Sequence, residues 1–363
     1  MLKGRGIMTM IDSSNAGEHS YPVYGRQFKS YRWYKPVIAA VLFIFFYLLL
    51  AVMLFFGVAY FIGGGTLAFD LMLKNNVFTA SYDDMDLANA WQSVLGLGSV
   101  AVMIPALWLT SVIVRDRPFS SYSSARGGWS SKVFWKAFPI AFICISVPIA
   151  IKDIFFEHDI KDFEMKYTLI GLAVVTVLGP LQCIAEEYAF RGLLMQTFGS
   201  WFRLPAIAVI FSSAVFASMH PYDMIGRIGI LVSGLVFAVT AWIGRGIEVS
   251  SAFHICNNMT IFYLQGMNLS TISTESKMSD LIFEICTGAA FIALIYIASR
   301  RHNWFNSIRR DDLAAWNQKI DEKVARKEAK KAAKAEKKAE KTVEIAEEAG
   351  AHEESAPGKH FKH

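Results

Sequence analysis

Residues 36–62 read PVIAAVLFIFFYLLLAVMLFFGVAYFI, without a single charged side chain. At 1.5 Å per residue a helix of this length crosses the roughly 30 Å hydrocarbon core of a bilayer. Lipid offers no partner for free backbone N–H and C=O groups, so a helix is the form such a run must take. Seven further apolar runs follow, at about 87–114, 134–151, 167–190, 204–221, 225–243, 249–265 and 281–299. The whole chain of 363 residues is 54% hydrophobic and 14% aromatic, which is membrane-protein composition. The expected fold class is all-α: a polytopic membrane helical bundle of about eight transmembrane helices.

Loop charges set the orientation. The loop after the first run carries Asp70, Asp83, Asp84 and Asp86 against Lys74. The next carries Arg115, Arg117, Arg126 and Lys132 against Asp116, and the third is acidic again with Asp153, Glu157, Asp159, Asp162 and Glu164. Arg245, Arg300 and Arg301 fall on the same side as the second loop. By the positive-inside rule both termini come out cytoplasmic. The chain then divides into a polar, basic N-terminal segment (1–35, with Lys3, Arg5, Arg26, Lys29, Arg32 and Lys35), N-terminal transmembrane helices (36–164), a core (165–300) and a charged Lys/Ala/Glu-rich tail (301–363). The tail, with KVARKEAKKAAKAEKKAEK at 323–341, has nothing apolar to pack and is expected to be solvated.

The net charge of +5 lies mostly at the ends, beside membrane spans rather than in a nucleic-acid-binding patch. Lipids are the expected partners, nucleic acid is not, and the oligomeric state is not legible. Cys144, Cys183, Cys256 and Cys286 show no metal spacing and read as buried apolar thiols. A multi-pass protein of a bacterial cytoplasmic membrane is expected.

Against this background AEEYAFRG (185–192) stands out, because ionisable groups within the membrane are costly and point to function. On a helix Glu187 and Arg191 lie four apart and form an ion pair. Glu186 is turned about 100° away and has Phe190, not a cation, at i+4. Glu187 therefore reads as structural and Glu186 as the group left for chemistry. His220 in FASMH (216–220) and His254 in HICNN (254–258) lie at the ends of apolar runs, and Asn258 is four residues past His254. A turn near Trp201–Pro205 places Glu186 and His220 at similar depth on antiparallel helices. Counting from the turn at Gly244–Glu248 leaves His254 shallower, unless its helix is broken or tilted near Gly244 and Gly246.

These groups suit amide hydrolysis. Glu186 can accept and return a proton of water, His220 can orient that water, and His254 and Asn258 can donate to a developing oxyanion. Glu186, His220 and His254 could also hold a zinc ion, although HExxH is lacking. Ser218 is on the wrong face to form a Ser–His pair with His220.

The ordered set EExxxR (186–191), FxxxH (216–220) and HxxxN (254–258) resembles the CPBP intramembrane proteases, the CAAX-processing and bacteriocin-processing (Abi) endopeptidases. The resemblance covers roughly residues 165–265. It implies an intramembrane endopeptidase acting on a membrane-associated protein or peptide, with Glu186 as base, His220 holding the water, and His254 and Asn258 supporting the oxyanion. The cofactor is zinc or none, since a glutamate-activated water without metal is also proposed for the family. A non-proteolytic membrane scaffold or receptor is the alternative. A transporter is disfavoured because no internal repeat is found.

Overall fold

In a computed structural model, the structure describes residues 20–63, 87–271, 275–305 and 310–354. Asp70, Lys74, Asp83, Asp84 and Asp86, like Lys3 and Arg5, lie outside the described residues. Each of the eight apolar runs is a helix. These are α1 Lys35–Gly63, α2 Ala90–Val114, α3 Ser131–Glu157, α4 Leu169–Phe202, α5 Pro205–Ser218, α6 Met224–Gly244, α7 Glu248–Gly266 and α8 Met278–His302. Six of them, all but α5 and α7, are long and apolar enough to cross a membrane. The protein is a multi-pass integral membrane helical bundle.

The chain splits into two units, one ending at Leu313 and one starting at Ala314. The second is the continuation of a single helix, α9 Asp312–Glu354, whose side chains from Asp321 to Val343 are exposed. Its Lys/Glu/Ala composition favours a helix without a core.

Helices α2, α4 and α6 begin alike, and the even-numbered helices end alike. Asn89, Thr168 and Asp223 cap α2, α4 and α6, each side chain accepting from backbone N–H groups of the first turn. At their other ends stand Arg115, Arg203 and Arg245, and Asn303 after α8, all in the left-handed region with φ between 49° and 61°. Three of the four are arginines, whose charge complements the C-terminal end of a helix dipole.

Two charges counted in the second loop are not solvated. Arg117 and Arg126 are buried at 3% and 2% exposure. Arg117 donates to Gln196 Oε1 at 2.8 Å and lies over the Tyr122 ring. Arg126 pairs with Glu248 at 2.8 Å and donates to the carbonyl of Gly244. The segment before α1 is also not a free polar arm. Tyr21, Tyr24 and Phe28, from a 3-10 turn at Tyr21–Gln27 and just beyond it, are buried. The Tyr21 hydroxyl donates to the carbonyl of Tyr122. Residues 115–130, which Tyr21 holds from the N-terminal segment, roof the start of α7. Under them Ile247 N donates to Ser123 O and Ala125 N to Arg245 O, both at 2.9 Å.

The roof explains an unexpected depth. The turn at Gly244–Glu248 lies inside the protein, with Gly244, Ile247 and Glu248 all buried, so counting from a solvent-exposed turn misplaces α7. Residues Glu248–Cys256 are buried without exception. Being surrounded by protein, α7 tolerates a polar sequence that a lipid-facing helix could not. By contrast α1 exposes Val41, Ile44, Phe45, Leu48, Leu49 and Val52, as a lipid-facing helix must. Cys144, Cys183 and Cys256 are buried as expected, but Cys286 is exposed: it lies on α8 near the outward-facing Ile282 and Ile285, a surface that acyl chains rather than protein would cover.

Candidate active site

α4 supplies both glutamates. It runs unbroken through Pro180, then widens into a π segment at Tyr188–Met195 immediately after Glu187. Such wide turns recur at functional sites. α4 and α7 approach closely at Gly179, where a Cβ would stand 2.4 Å from Met259 Sδ. The small residue lets the Met259 side chain of α7 lie directly against α4.

Glu187 is 0% exposed and is engaged by two cationic or donor groups. Its Oε1 lies 3.1 Å from Arg191 Nη1 and 3.0 Å from His254 Nδ1. The carboxylate only accepts, so Nδ1 of His254 carries the hydrogen. Arg191, also 0% exposed, donates its other Nη to the carbonyl of Gly234 at 3.0 Å. Its guanidinium lies 4.6 Å from the Phe216 ring and 4.9 Å from that of Phe237. Phe237 in turn stacks on His254 at 4.5 Å. The Arg191–Glu187–His254 chain is thus held rigidly in an aromatic box.

Glu186, at 8% exposure, faces the other side of the imidazole. Its Oε2 stands 3.4 Å from His254 Nε2. With Nδ1–H turned to Glu187, this contact is attractive only if a proton lies between Nε2 and the Glu186 carboxyl. The second oxygen of Glu186 is also occupied: Gln182 Nε2 donates to Oε1 at 2.7 Å. Gln182 Oε1 accepts from Asn258 Nδ2 at 3.4 Å, and Asn258 Oδ1 accepts from Asn257 Nδ2 at 3.0 Å. Asn257 and Asn258 are half-buried, so the cluster opens on their side.

The structure therefore gathers Glu186, Glu187, Arg191, His254 and Asn258. It does not join His220 to them by a hydrogen bond. His220 lies just past the end of α5, half-buried, with Nδ1 2.8 Å from the carbonyl of Phe216. The Phe216 ring packs against both imidazoles, 4.6 Å from that of His220 and 6.3 Å from that of His254. α5 ends at Ser218, so His220 sits on an irregular turn rather than on the helix face that the depth count assumed. Gln182 is the member that the motifs do not mark. Its signal is an amide four residues before Glu186, on the same helix face.

The donor set does not suit zinc. Among the described residues no group of three His, Cys, Asp or Glu side chains is placed to hold a metal ion. The Glu186, His220 and His254 set expected to do so is not such a group, and both nitrogens of His254 face carboxylates.

A buried acid–imidazole–amide cluster inside a membrane helical bundle defines an integral membrane protein with a polar reaction-type centre. Residues 168–260, which contain the whole cluster, match the family model described as type II CAAX prenyl endopeptidase Rce1-like. The resemblance seen in the motifs thus holds over that segment, and at family level it supports a CAAX-type intramembrane protease. The chain is also 25% identical over 217 residues to a Bacillus subtilis (strain 168) protein named Uncharacterized protein YyaK, covering 53% of this chain and 71% of that one. No solved structure matches the chain.

Proposed function

We propose that the protein is an intramembrane endopeptidase that hydrolyses a peptide bond of a membrane-associated protein or peptide with water activated by Glu186. The observation that carries this reading is the division of labour between adjacent acids. Glu187 is consumed by Arg191 and His254, while Glu186 is held but not neutralised by a cation of fixed charge. An acid in that condition can take a proton from water.

In the reaction, water attacks the scissile carbonyl carbon as its proton passes to Glu186. The carbonyl oxygen becomes an oxyanion, for which Asn258 is the candidate amide donor. Collapse breaks the C–N bond, and Glu186 returns the proton to the leaving amine. His254, oriented by Glu187, exchanges a proton with Glu186 and keeps its carboxyl group in place, a role closer to the base than the oxyanion support expected from sequence. His220, with one ring nitrogen uncommitted, is the candidate to meet water or substrate from α5. No step is routed through a metal, because the donors do not gather.

The reading predicts that cells carrying Glu186→Gln in place of the native protein accumulate an uncleaved membrane precursor. Comparative membrane proteomics, at matched abundance of the two proteins, detects it. An unchanged membrane proteome would favour a scaffold or receptor. The cleaved sequence so found, built into a quenched-fluorescence peptide, becomes the reporter for kinetic work.

A further inference from the structure

Gln182 is 7% exposed on α4, and burying an amide is costly unless its hydrogen bonds are made. Here they are made toward the reactive acid. Its Nε2 donates to Glu186 Oε1 at 2.7 Å, while its Oε1 accepts from Asn258 Nδ2 at 3.4 Å and from the Cys183 thiol at 3.3 Å. The carboxylate of Glu186 is thereby fixed from two sides, Oε1 by Gln182 and Oε2 by His254. A terminal carboxyl torsion is soft and roughly two-fold, so the carboxylate would turn freely without such a donor. The same amide spans α4 and α7, setting the distance between the acid and Asn258.

We infer that Gln182 is a positioning residue of this centre: it clamps Glu186 in the orientation that accepts a proton and couples it to Asn258. The inference rests on the reading of Glu186 as the base and names a residue that the three motifs omit. Gln182→Met keeps the length of the side chain and removes both polar functions.

Two measurements on the full-length protein in lipid nanodiscs test it. The first needs no substrate. The infrared carboxylate band of Glu186 is identified as the band lost in Glu186→Gln, and it shifts in Gln182→Met. An unmoved band would overturn the clamp. The second uses the reporter peptide. Gln182→Met lowers kcat roughly ten- to hundredfold with KM nearly unchanged, as expected for a lost hydrogen bond to a charged group. Gln182→Met combined with Asn258→Ala loses less than the product of the two single losses, because the two share the contact between Gln182 Oε1 and Asn258 Nδ2. An unchanged kcat, or fully multiplicative losses, would contradict the coupling. If Gln182→Met does not fold, Gln182→Leu, which also removes both polar functions and adds no carboxyl group, serves in both measurements and gives the same loss. Wild-type cleavage by Glu186→Gln would instead sink the base assignment, and the infrared result would still decide the clamp.

Discussion

His254 Nε2 stands 3.4 Å from Glu186 Oε2, while the opposite nitrogen of the same ring lies 3.0 Å from Glu187 Oε1. One imidazole thus bridges two consecutive acids of different standing. The acid behind it is locked by Arg191, and the acid in front is the one that can exchange a proton.

The locked acid carries a stability prediction. Glu187→Gln leaves the Arg191 guanidinium buried without its counter-charge, which costs about 3–5 kcal/mol. Thermal unfolding in detergent should show a large fall in Tm for Glu187→Gln and little change for Glu186→Gln. Equal falls would mean that the two acids are not divided as described.

The roof carries a second. Arg126 and Glu248 form a buried pair at 2.8 Å, and the backbone N–H of Ser130 also donates to Glu248. Arg126→Met strands the Glu248 carboxylate and should destabilise by a similar amount, about 3–5 kcal/mol. The double variant Arg126→Met/Glu248→Met should recover part of the loss, because it leaves no uncompensated charge. Absence of any recovery in a double-mutant cycle would show that the pair is not the connection.

Burial in the roof pushes the Tyr122 hydroxyl up to about 12, and burial likewise raises Tyr21 and Tyr24. These groups are held neutral when folded and ionise more easily when unfolded. Their contribution is therefore complete below pH 10 and is lost as pH climbs from about 10 toward 12. Stability measured against pH should fall across that window, and Tyr122→Phe should reduce the slope. A slope unaffected by Tyr122→Phe would remove Tyr122 from the account.

Cleavage of the reporter should survive exhaustive dialysis against a chelator, since among the described residues Glu186, His220 and His254 do not form a metal-holding group. Loss of activity on dialysis, restored by zinc alone, would require a rearranged site.

What could be read from the sequence follows from the range over which its signals act. Apolar runs and the Glu187–Arg191 spacing depend on near neighbours along one helix, and each of the eight apolar runs is a helix. Signals that depend on what covers a segment were not legible. Arg117 and Arg126 look like solvated loop charges but are sealed in the roof. That same roof makes α7 start inside the protein and brings His254 level with Glu186. The π turn after Glu187 has no pattern in residue type, and Gln182 is one amide among apolar residues until Asn258 arrives from another helix. The depth of His220 follows from its distance from the Trp201–Pro205 turn, but nothing in that distance says that α5 stops at Ser218.

The most direct test compares the native protein with Glu186→Gln, both purified in nanodiscs, on the reporter peptide. Native protein should cleave it, and Glu186→Gln should be slower by about 10²- to 10⁴-fold with an unchanged Tm. Cleavage by Glu186→Gln at the native rate would contradict the claim that this carboxylate activates the water.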